Sequence, residues 1–372
     1  MCEKQIRILV VDDSAFMRKA LCMMLDSDPQ IKVIDTARDG QEGFEKVQKL
    51  KPDLVTMDIE MPRMDGLTSL KQIMETYPVP VMMVSSLTTD GASATLDAMD
   101  LGAVDFIPKE LSYVSLDIVK IKEELIAKIK DIVKRKHILM ARYKQAAAFK
   151  KAKGNSQKLR TAITPHNEID TSIQPVKTIA KRNHSVNLIA IGSSTGGPPA
   201  LQSVITKLPR NLPVGVVIAQ HMPAMFTKSL ADRLDKLSQI SVKEGEHGEM
   251  VEPGVVYIAP GGKQMIIKKV GIKSQIVISN QPEDSIYKPS VNIMLSSVVE
   301  IYGRSTLGVI LTGMGSDGLT AFREVRTKGG VIIAQNEESC VVYGMPKAVI
   351  DAQIADHISP IESIHSEIIS YF

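Results

Sequence analysis

Five short apolar runs alternate with five segments of helical spacing over the first 130 residues. The apolar runs cover residues 6–11, 31–37, 54–57, 81–85 and 104–107, and the helical segments cover 15–25, 41–50, 67–76, 90–99 and 116–133. Apolar runs separated by amphipathic helices are typical of parallel strands that are covered on both faces. The alternation therefore predicts a doubly wound α/β domain with a five-stranded parallel sheet over residues 1–130.

The pattern changes twice in the remainder of the chain. Residues 131–185 are basic and rich in Lys, Ala, Gln, Ser and Thr, and they lose the alternation, which predicts a linker. Strand-like runs return at residue 186, and Gly271 separates two of them as in a hairpin. We therefore expect a second α/β domain over residues 186–372, with a mostly parallel sheet and an antiparallel hairpin.

The net charge of +3 conceals a strong asymmetry along the chain. Residues 120–182 carry a net charge of +12, and the rest of the chain carries −9. A basic segment can contact nucleic acid, anionic lipid or an acidic protein face. This one offers only Tyr143 and Phe149 for stacking and contains no nucleic-acid-binding motif. We interpret it as a solvated linker and expect no nucleic-acid partner.

Cysteine usage and hydropathy favour a reducing, cytoplasmic setting. Cys2, Cys22 and Cys340 are scattered without C-x-x-C spacing, so neither a disulfide framework nor a zinc site is predicted. The first residues form no apolar signal segment. No apolar stretch approaches the roughly 18 residues that are needed to cross a bilayer. We expect a cytoplasmic protein without direct membrane insertion.

Acidic residues close two of the predicted strands in the first domain. Asp12 and Asp13 follow the first strand and Asp58 follows the third, while Ser85 ends the fourth and Lys109 follows the fifth. The carboxyl ends of parallel strands meet at one edge of a sheet, so these groups should lie together. Clustered carboxylates need neutralisation, and hard oxygen ligands select Mg²⁺. The sequence therefore predicts a magnesium site at which a carboxylate accepts a phosphoryl group.

The motifs around these positions resemble the receiver domains of two-component response regulators. They are V-V-D-D-S at 10–14, M-D-I-E-M-P-R-M-D-G at 57–66 and D-F-I-P-K at 105–109. The resemblance implies that Asp58 is the phosphoacceptor. It also implies that Asp13, Asp58 and the backbone carbonyl of Glu60 hold Mg²⁺, with Asp12 assisting through water.

The same resemblance implies how the phosphorylated state is read out. Ser85 would be the switch hydroxyl, Phe106 the aromatic residue that follows its movement, and Lys109 the cation that screens the phosphoryl oxygens. Glu110 departs from the pattern, since such domains usually carry proline after the lysine. A histidine kinase is implied as the phosphoryl donor.

Ser194 lies in a G-x-S-x-G sequence directly after the apolar run 187–191. A sharp strand-to-helix turn with small neighbours exposes a hydroxyl and directs backbone N–H groups at a developing oxyanion. His221 and Asp317 also follow strand-like runs, and the loop of Asp317 is rich in glycine. Three such strand ends predict a triad in which Ser194 attacks a carbonyl, His221 is the general base and Asp317 orients it. Amides near Thr195 and in the loop 313–315 are candidates for the oxyanion hole.

Several alternatives compete with this interpretation. His247, in an acidic E-G-E-H-G-E sequence, is a rival base. An α/β-hydrolase orders its triad Ser, Asp, His, whereas His221 precedes Asp317 here, so that fold is disfavoured. A DNA-binding regulator is disfavoured because the second half has no compact helix-turn-helix pattern. A non-enzymatic scaffold predicts no reaction with fluorophosphonates, and a hydrolase for another ester or amide stays open.

Residues 186–350 resemble the catalytic domain of the chemotaxis receptor protein-glutamate methylesterases. The motifs are I-G-S-S-T-G-G at 191–197, Q-H-M-P at 220–223, Y-I-A-P-G-G at 257–262, L-T-G-M-G-S-D-G at 311–318 and Q-N-E-E-S-C at 335–340. The resemblance implies a phosphorylation-activated hydrolase that demethylates glutamyl γ-methyl esters on the cytoplasmic helices of chemoreceptors and releases methanol. Deamidation of receptor Gln to Glu is implied as a second activity. Ser194, His221 and Asp317 match the family's catalytic positions, and no cofactor is implied for the ester chemistry.

Overall fold

The computed structural model describes residues 5–109, 118–145 and 185–372, with side chains from residue 122 onward in the second range. The predicted linker is described only up to residue 145, and its part over 146–184 lies outside the described residues, as does Glu110. No helix in the described ranges is long and apolar enough to cross a membrane.

The first half folds as the predicted doubly wound domain. Its strands are β1 (Ile6–Val11), β2 (Ile31–Ala37), β3 (Leu54–Asp58), β4 (Val81–Ser85) and β5 (Asp105–Pro108), and its helices are α1 (Ala15–Leu25), α2 (Gly40–Leu50), α3 (Gly66–Thr76), α4 (Thr89–Leu101) and α5 (Ile118–Lys134). The strands form one parallel sheet in the order β2-β1-β3-β4-β5. The alternation thus predicted both the number of strands and their parallel pairing.

Side-chain caps start several of these helices next to the strand ends. Ser14, Asp39 and Asp65 each accept a hydrogen bond from a backbone N–H in the first turn of α1, α2 and α3. Such caps satisfy amides that have no partner within the helix, and each contributes about 1 kcal/mol. The caps therefore fix the turns that carry the acidic residues at the edge of the sheet.

The second half is an α/β domain around a seven-stranded parallel sheet. In chain order its elements are β6 (Leu188–Ser193), α7 (Gly197–Ile205), β7 (Gly215–Gln220), α8 (Phe226–Leu237), β8 (Ser241–Glu244), β9 (Val255–Ile258), β10 (Gln264–Val270), β11 (Lys273–Ser279), α9 (Val291–Tyr302), β12 (Thr306–Ile310), α10 (Leu319–Lys328), β13 (Val331–Gln335), α11 (Met345–Asp351), β14 (His357–Ser359) and α12 (Ile361–Ile369). The sheet order is β14-β13-β12-β6-β7-β9-β8. Strands β10 and β11 form the predicted antiparallel hairpin, which turns at Gly271.

The three central strands of this sheet bring the motifs of Ser194, His221 and Asp317 together. Every residue of β6, β7 and β12 is buried, because helices cover both faces of the sheet. In the register of β6 with β7, Ser193 pairs with Gln220, so Ser194 and His221 are the next residues on two adjacent strands. Neighbouring strands lie about 4.8 Å apart. The motifs therefore meet at one edge, as the strand-end argument predicted.

The two halves pack directly against each other. Arg233 of α8 forms ion pairs with Asp97 and Asp100 of α4. A short helix, α6, is described over 136–145, and its Arg142 pairs with Glu362 at 2.9 Å. These contacts join α4 to α8 and α6 to α12, so helices of both halves meet at the interface.

Candidate functional site

Ser194 occupies a turn that only small residues can form. Its amide donates to the carbonyl of Thr312 at 3.0 Å, and its carbonyl accepts from the side-chain amide of Gln220 at 2.9 Å. Gly196 has a φ of +75°, and a Cβ on Gly197 would lie 1.9 Å from Oε1 of Gln220. Positive φ and this contact both exclude larger residues. The glycines of the motif therefore hold the serine in place, and Ser194 is partly exposed while its neighbours are buried.

The structure joins His221 to Asp317. Nε2 of His221 lies 2.8 Å from Oδ2 of Asp317, and both side chains are almost fully buried. Nδ1 of His221 is buried without a hydrogen-bond partner among the described residues. Because Asp317 engages Nε2, Nδ1 is the nitrogen that is left to act on a nucleophile. An unpaired polar atom in a buried site is costly, so its presence here points to a functional role.

Asp317 is held at the N-terminus of helix α9. Its oxygens also accept hydrogen bonds from Ser290 Oγ at 3.0 Å, from the Val291 amide at 2.6 Å and from the Asn292 amide at 3.2 Å. Burial alone would raise the pKa of this carboxyl group. The hydrogen bond and charge of His221, together with the two backbone amides, outweigh burial and leave the pKa of Asp317 below its usual value. Asp317 is therefore a carboxylate at neutral pH and can stabilise an imidazolium.

The structure narrows the choice of oxyanion donors. The Gly313 amide donates to the carbonyl of Val342 at 3.1 Å, so it is already engaged. The remaining candidates for the oxyanion hole are three backbone amides, those of Thr195, Met314 and Gly315. The rival base His247 is exposed and contacts the backbone of Ile278 in the hairpin, away from this turn.

A cavity of about 800 Å³ lies where the two halves meet. Ser194, His221 and Tyr287 line it from the second half, and Asp105 and Lys128 line it from the first half. The turn that carries Ser194 therefore opens toward the first domain rather than into free solvent, and access to it depends on how the halves are packed.

Buried contacts connect the two halves beside Ser194. The Thr195 hydroxyl donates to Oδ2 of Asp105 at 3.0 Å, and Nζ of Lys128 lies 3.2 Å from the same oxygen. Burial disfavours the charged form of Lys128, but the charges of Asp105 and Glu124 outweigh burial and raise its pKa. The Lys128 ammonium is therefore held in its charged form, and Asp105 is its ion-pair partner within the interface.

The acidic residues of the first half converge as predicted. One carboxylate oxygen from each of Asp12, Asp13 and Asp58 lies within 4.8 Å of the others, and Lys109 Nζ contacts Asp58 at 2.7 Å. Burial, followed by the charge of Asp58, raises the pKa of Asp12 to about 6. Oδ2 of Asp12 is buried without a partner among the described residues. A crowded carboxylate set with an unpaired oxygen fits a hard divalent cation such as Mg²⁺.

The residues predicted to read out this site lie beside it and at the interface. The Ser85 hydroxyl donates to the carbonyl of Gly91 in α4 at 3.1 Å. Phe106 stacks on Phe226 of α8, with ring centroids 4.5 Å apart and planes 16° apart. Glu60 is exposed beside Asp58, and its amide contacts the Asp58 carboxylate at 3.3 Å. Ser85 therefore contacts helix α4 of its own half, and Phe106 is in direct contact with the second half of the chain.

Sequence reasoning missed several residues of the interface site. Tyr287 lies in a loop without a motif, and Lys128 belongs to a helix whose only recognised signal was its apolar spacing. Asp105 and Phe106 lie in a recognised motif, but nothing in that motif shows that they face Thr195 and Phe226. Such contacts join segments that are far apart in the chain, so no local pattern reports them.

Two family models match the chain. The "CheB methylesterase" model covers residues 189–368, and the "Response regulator receiver domain" model covers residues 8–118. The protein-glutamate methylesterase/protein-glutamine glutaminase 1 of Oleidesulfovibrio alaskensis is 50% identical over 365 residues, which are 98% of this chain and 99% of that protein. The protein-glutamate methylesterase/protein-glutamine glutaminase of Lawsonia intracellularis is 45% identical over 372 residues, covering 98% of each.

Solved structures are similar to each half. The CheB methylesterase catalytic domain of Thermotoga maritima is 44% identical, covers 50% of this chain and 100% of that chain, and superposes with a TM-score of 0.49. The response regulator domain of Thermotoga maritima CheB is 50% identical, covers 35% of this chain and 98% of that chain, and has a TM-score of 0.33.

Proposed function

Because the chain belongs to the protein-glutamate methylesterase/protein-glutamine glutaminase family, we propose that Ser194, His221 and Asp317 carry out this chemistry. The protein is a phosphorylation-activated hydrolase that demethylates glutamyl γ-methyl esters on chemoreceptors and deamidates receptor Gln to Glu. The observation that carries the residue assignment is the 2.8 Å contact between His221 and Asp317 beside the Ser194 turn. The proposed substrate segments are the cytoplasmic helices of chemoreceptors, and the proposed compartment is the cytoplasm.

The proposed reaction passes through an acyl-enzyme. Ser194 Oγ attacks the ester carbonyl carbon, and Nδ1 of His221 takes the serine proton. The tetrahedral intermediate collapses, and the imidazolium returns the proton to the methoxy oxygen, which leaves as methanol. A water molecule then attacks the acyl-serine, His221 again moves the proton, and the products are the glutamate side chain and free Ser194. A glutamine side chain follows the same steps and releases ammonia.

Asp317 and the backbone supply the electrostatic part of this reaction. The carboxylate keeps the proton on Nε2 of His221, so that Nδ1 is unprotonated before attack. It also stabilises the imidazolium that forms. Amides at Thr195, Met314 or Gly315 would donate to the oxyanion, which is charged only in the transition state and the intermediate.

Asp58 is the proposed phosphoacceptor of the first domain. Asp13, Asp58 and the carbonyl of Glu60 would hold Mg²⁺, with Asp12 nearby, and a chemotaxis histidine kinase would donate the phosphoryl group. When bound, the cation neutralises the crowded carboxylates and the oxygens of the incoming phosphoryl group. Lys109, now 2.7 Å from Asp58, would contact the phosphoryl oxygens instead.

The contacts of the switch residues suggest how phosphorylation opens the site. A phosphoryl group on Asp58 attracts the Ser85 hydroxyl, which must then leave the carbonyl of Gly91 in α4. Helix α4 carries the partners of Arg233, and the adjacent Phe106 packs on Phe226. Movement of either element weakens the interface that covers Ser194, and the population shifts toward an open state.

Methanol release from methylated receptor membranes tests both assignments. We expect Ser194→Ala to lose about 10⁴-fold or more of the activity. Ser203→Ala is the matched control, because Ser203 lies half-buried on α7 and does not line the cavity. Full activity in Ser194→Ala would refute the triad.

A small-molecule phosphodonor tests the role of the first domain. We expect it to stimulate the wild type and Asp35→Asn, whose carboxylate lies on the edge strand β2 and pairs with Lys46. Asp58→Asn should stay at the unstimulated rate. A stimulated Asp58→Asn protein would refute the phosphoacceptor assignment without affecting the triad.

A further inference from the structure

Tyr287 lies flat against the proposed catalytic histidine. The Tyr287 and His221 rings are stacked, with centroids 4.2 Å apart and planes only 6° apart. The hydrogen bond from Nε2 of His221 to Asp317 holds one end of the imidazole. This one hydrogen bond still allows the imidazole ring to rotate about the axis of the hydrogen bond. Contact with the phenol ring blocks this rotation, because a tilted imidazole would overlap Tyr287.

The loop that carries Tyr287 is itself fixed to the triad. The buried side chain of Gln264 donates to the carbonyl of Tyr287 at 2.8 Å and accepts from the amide of Ser290 at 2.8 Å. Ser290 in turn donates to Asp317 at 3.0 Å. Gln264 therefore connects Tyr287, which covers the imidazole face, with Ser290, which donates to the carboxylate that binds the imidazole.

The stack also has an electrostatic consequence. The face of an aromatic ring is negative, so it attracts a cation that lies over it. His221 becomes such a cation when it takes the serine proton. Among the described residues, charged groups near Tyr287 include Asp317 from its own half and Glu124 and Lys128 from α5. The stack therefore favours the protonated imidazole that forms when His221 takes the serine proton.

We propose that Tyr287 is a positioning residue for the acid–base step. Its ring holds the imidazole plane, and with it the direction of Nδ1, and it stabilises the imidazolium in the transition state. The inference rests on the proposed function, since it takes His221 as the base. It goes beyond that function by assigning a role to a residue outside the three triad positions.

The rate at which Ser194 reacts with a fluorophosphonate tests this role without a receptor substrate. The full-length chain is used with a small-molecule phosphodonor, and Tyr287→Leu and Tyr287→Phe are compared with the wild type. We expect Tyr287→Leu to react about tenfold more slowly, and Tyr287→Phe to stay within about twofold of the wild type. Tyr302→Leu is the matched control, because Tyr302 is a half-buried tyrosine of the same half that bonds to Ser274. It should also stay within about twofold.

The pH dependence of the reaction separates positioning from a folding defect. Without the stack the imidazolium is less stable, so the acidic limb of the rate profile of Tyr287→Leu should move to lower pH. A damaged loop would lower the rate equally at every pH. On receptor substrate, positioning predicts a lower kcat with an unchanged KM.

Three results in the Tyr287 variants would overturn the proposal. They are a wild-type rate in Tyr287→Leu, a lower rate with an unmoved acidic limb, and a Tyr287→Phe protein as slow as Tyr287→Leu. The last result would assign the effect to the hydroxyl, which lies beside Gly315. A wild type that fails to label at Ser194 would refute the triad and the positioning role together. A labelled wild type with an unaffected Tyr287→Leu would refute the positioning role alone.

Discussion

Replacing Asp317 by asparagine tests the hydrogen-bond geometry around His221. Each carboxylate oxygen accepts two hydrogen bonds. Oδ1 accepts from Ser290 Oγ at 3.0 Å and from the Asn292 amide at 3.2 Å, and Oδ2 accepts from the Val291 amide at 2.6 Å and from Nε2 of His221 at 2.8 Å. An asparagine NH₂ group cannot accept a hydrogen bond. In either position it therefore faces a backbone N–H that has no other acceptor.

The two orientations of the new asparagine amide differ in free energy. An NH₂ group at the Oδ2 position would face the Val291 amide across the shortest contact and force Nε2 of His221 to become an acceptor. Nδ1 would then carry the proton and could not act as a base. At the Oδ1 position the NH₂ group faces the longer Asn292 contact, and the Ser290 hydroxyl can rotate to accept. We expect this second orientation, which preserves the tautomer and removes only the negative charge.

The expected loss of activity follows from that charge. A hydrogen bond to a charged group contributes about 1.5–3 kcal/mol, and each 1.4 kcal/mol is a factor of ten in rate. We therefore expect kcat of Asp317→Asn to fall about 10- to 100-fold, against the roughly 10⁴-fold loss that follows from a wrong tautomer.

The assay is methanol release at saturating methylated receptor membranes with a phosphodonor, with Tm measured in parallel. Asp356→Asn is the matched control, because that carboxylate pairs with Arg326 and lies elsewhere in the same half. A loss of 10⁴-fold at unchanged Tm would refute the orientation argument. A loss of less than about threefold would refute the role of Asp317 in the reaction.

Three further predictions concern the shifted pKa values of Asp317 and Cys340 and the contact of Thr195 with Asp105. The folded-state pKa of Asp317 lies below its usual value, so its ionised form stabilises the fold above about pH 4 and this stabilisation is lost as the pH falls. Denaturant unfolding between pH 7 and pH 3 should show a weaker acid dependence in Asp317→Asn, and equal dependences would contradict this. Thr195→Val removes the hydroxyl that donates to the carboxylate of Asp105. Because this hydrogen bond joins the two halves, its loss should raise the activity measured without phosphodonor by about tenfold. An unchanged ratio of unstimulated to stimulated activity would show that the contact does not hold the halves together. Burial raises the pKa of Cys340 to about 12, so peptide mass spectrometry should find this thiol unalkylated by iodoacetamide at pH 8 until the protein unfolds.

The sequence by itself determined the two α/β folds and which polar side chains lie at their strand ends. A buried strand is visible in the sequence as a short continuous apolar run, and a helix as apolar residues that recur every 3.6 positions. Both are local patterns. A parallel sheet with crossover helices must place all carboxyl strand ends at one edge. Asp12, Asp58 and Lys109 therefore had to meet, and so did Ser194 and His221.

Only the tertiary structure decided how these groups face each other. That Asp317 takes Nε2 of His221, that Tyr287 covers the imidazole and that Asp105 binds Thr195 all depend on the packing of distant segments. Local patterns report which face of an element is buried, and they do not report what covers it. The partner of each side chain is chosen by the complementary shapes and charges of surfaces that form only when both halves have folded.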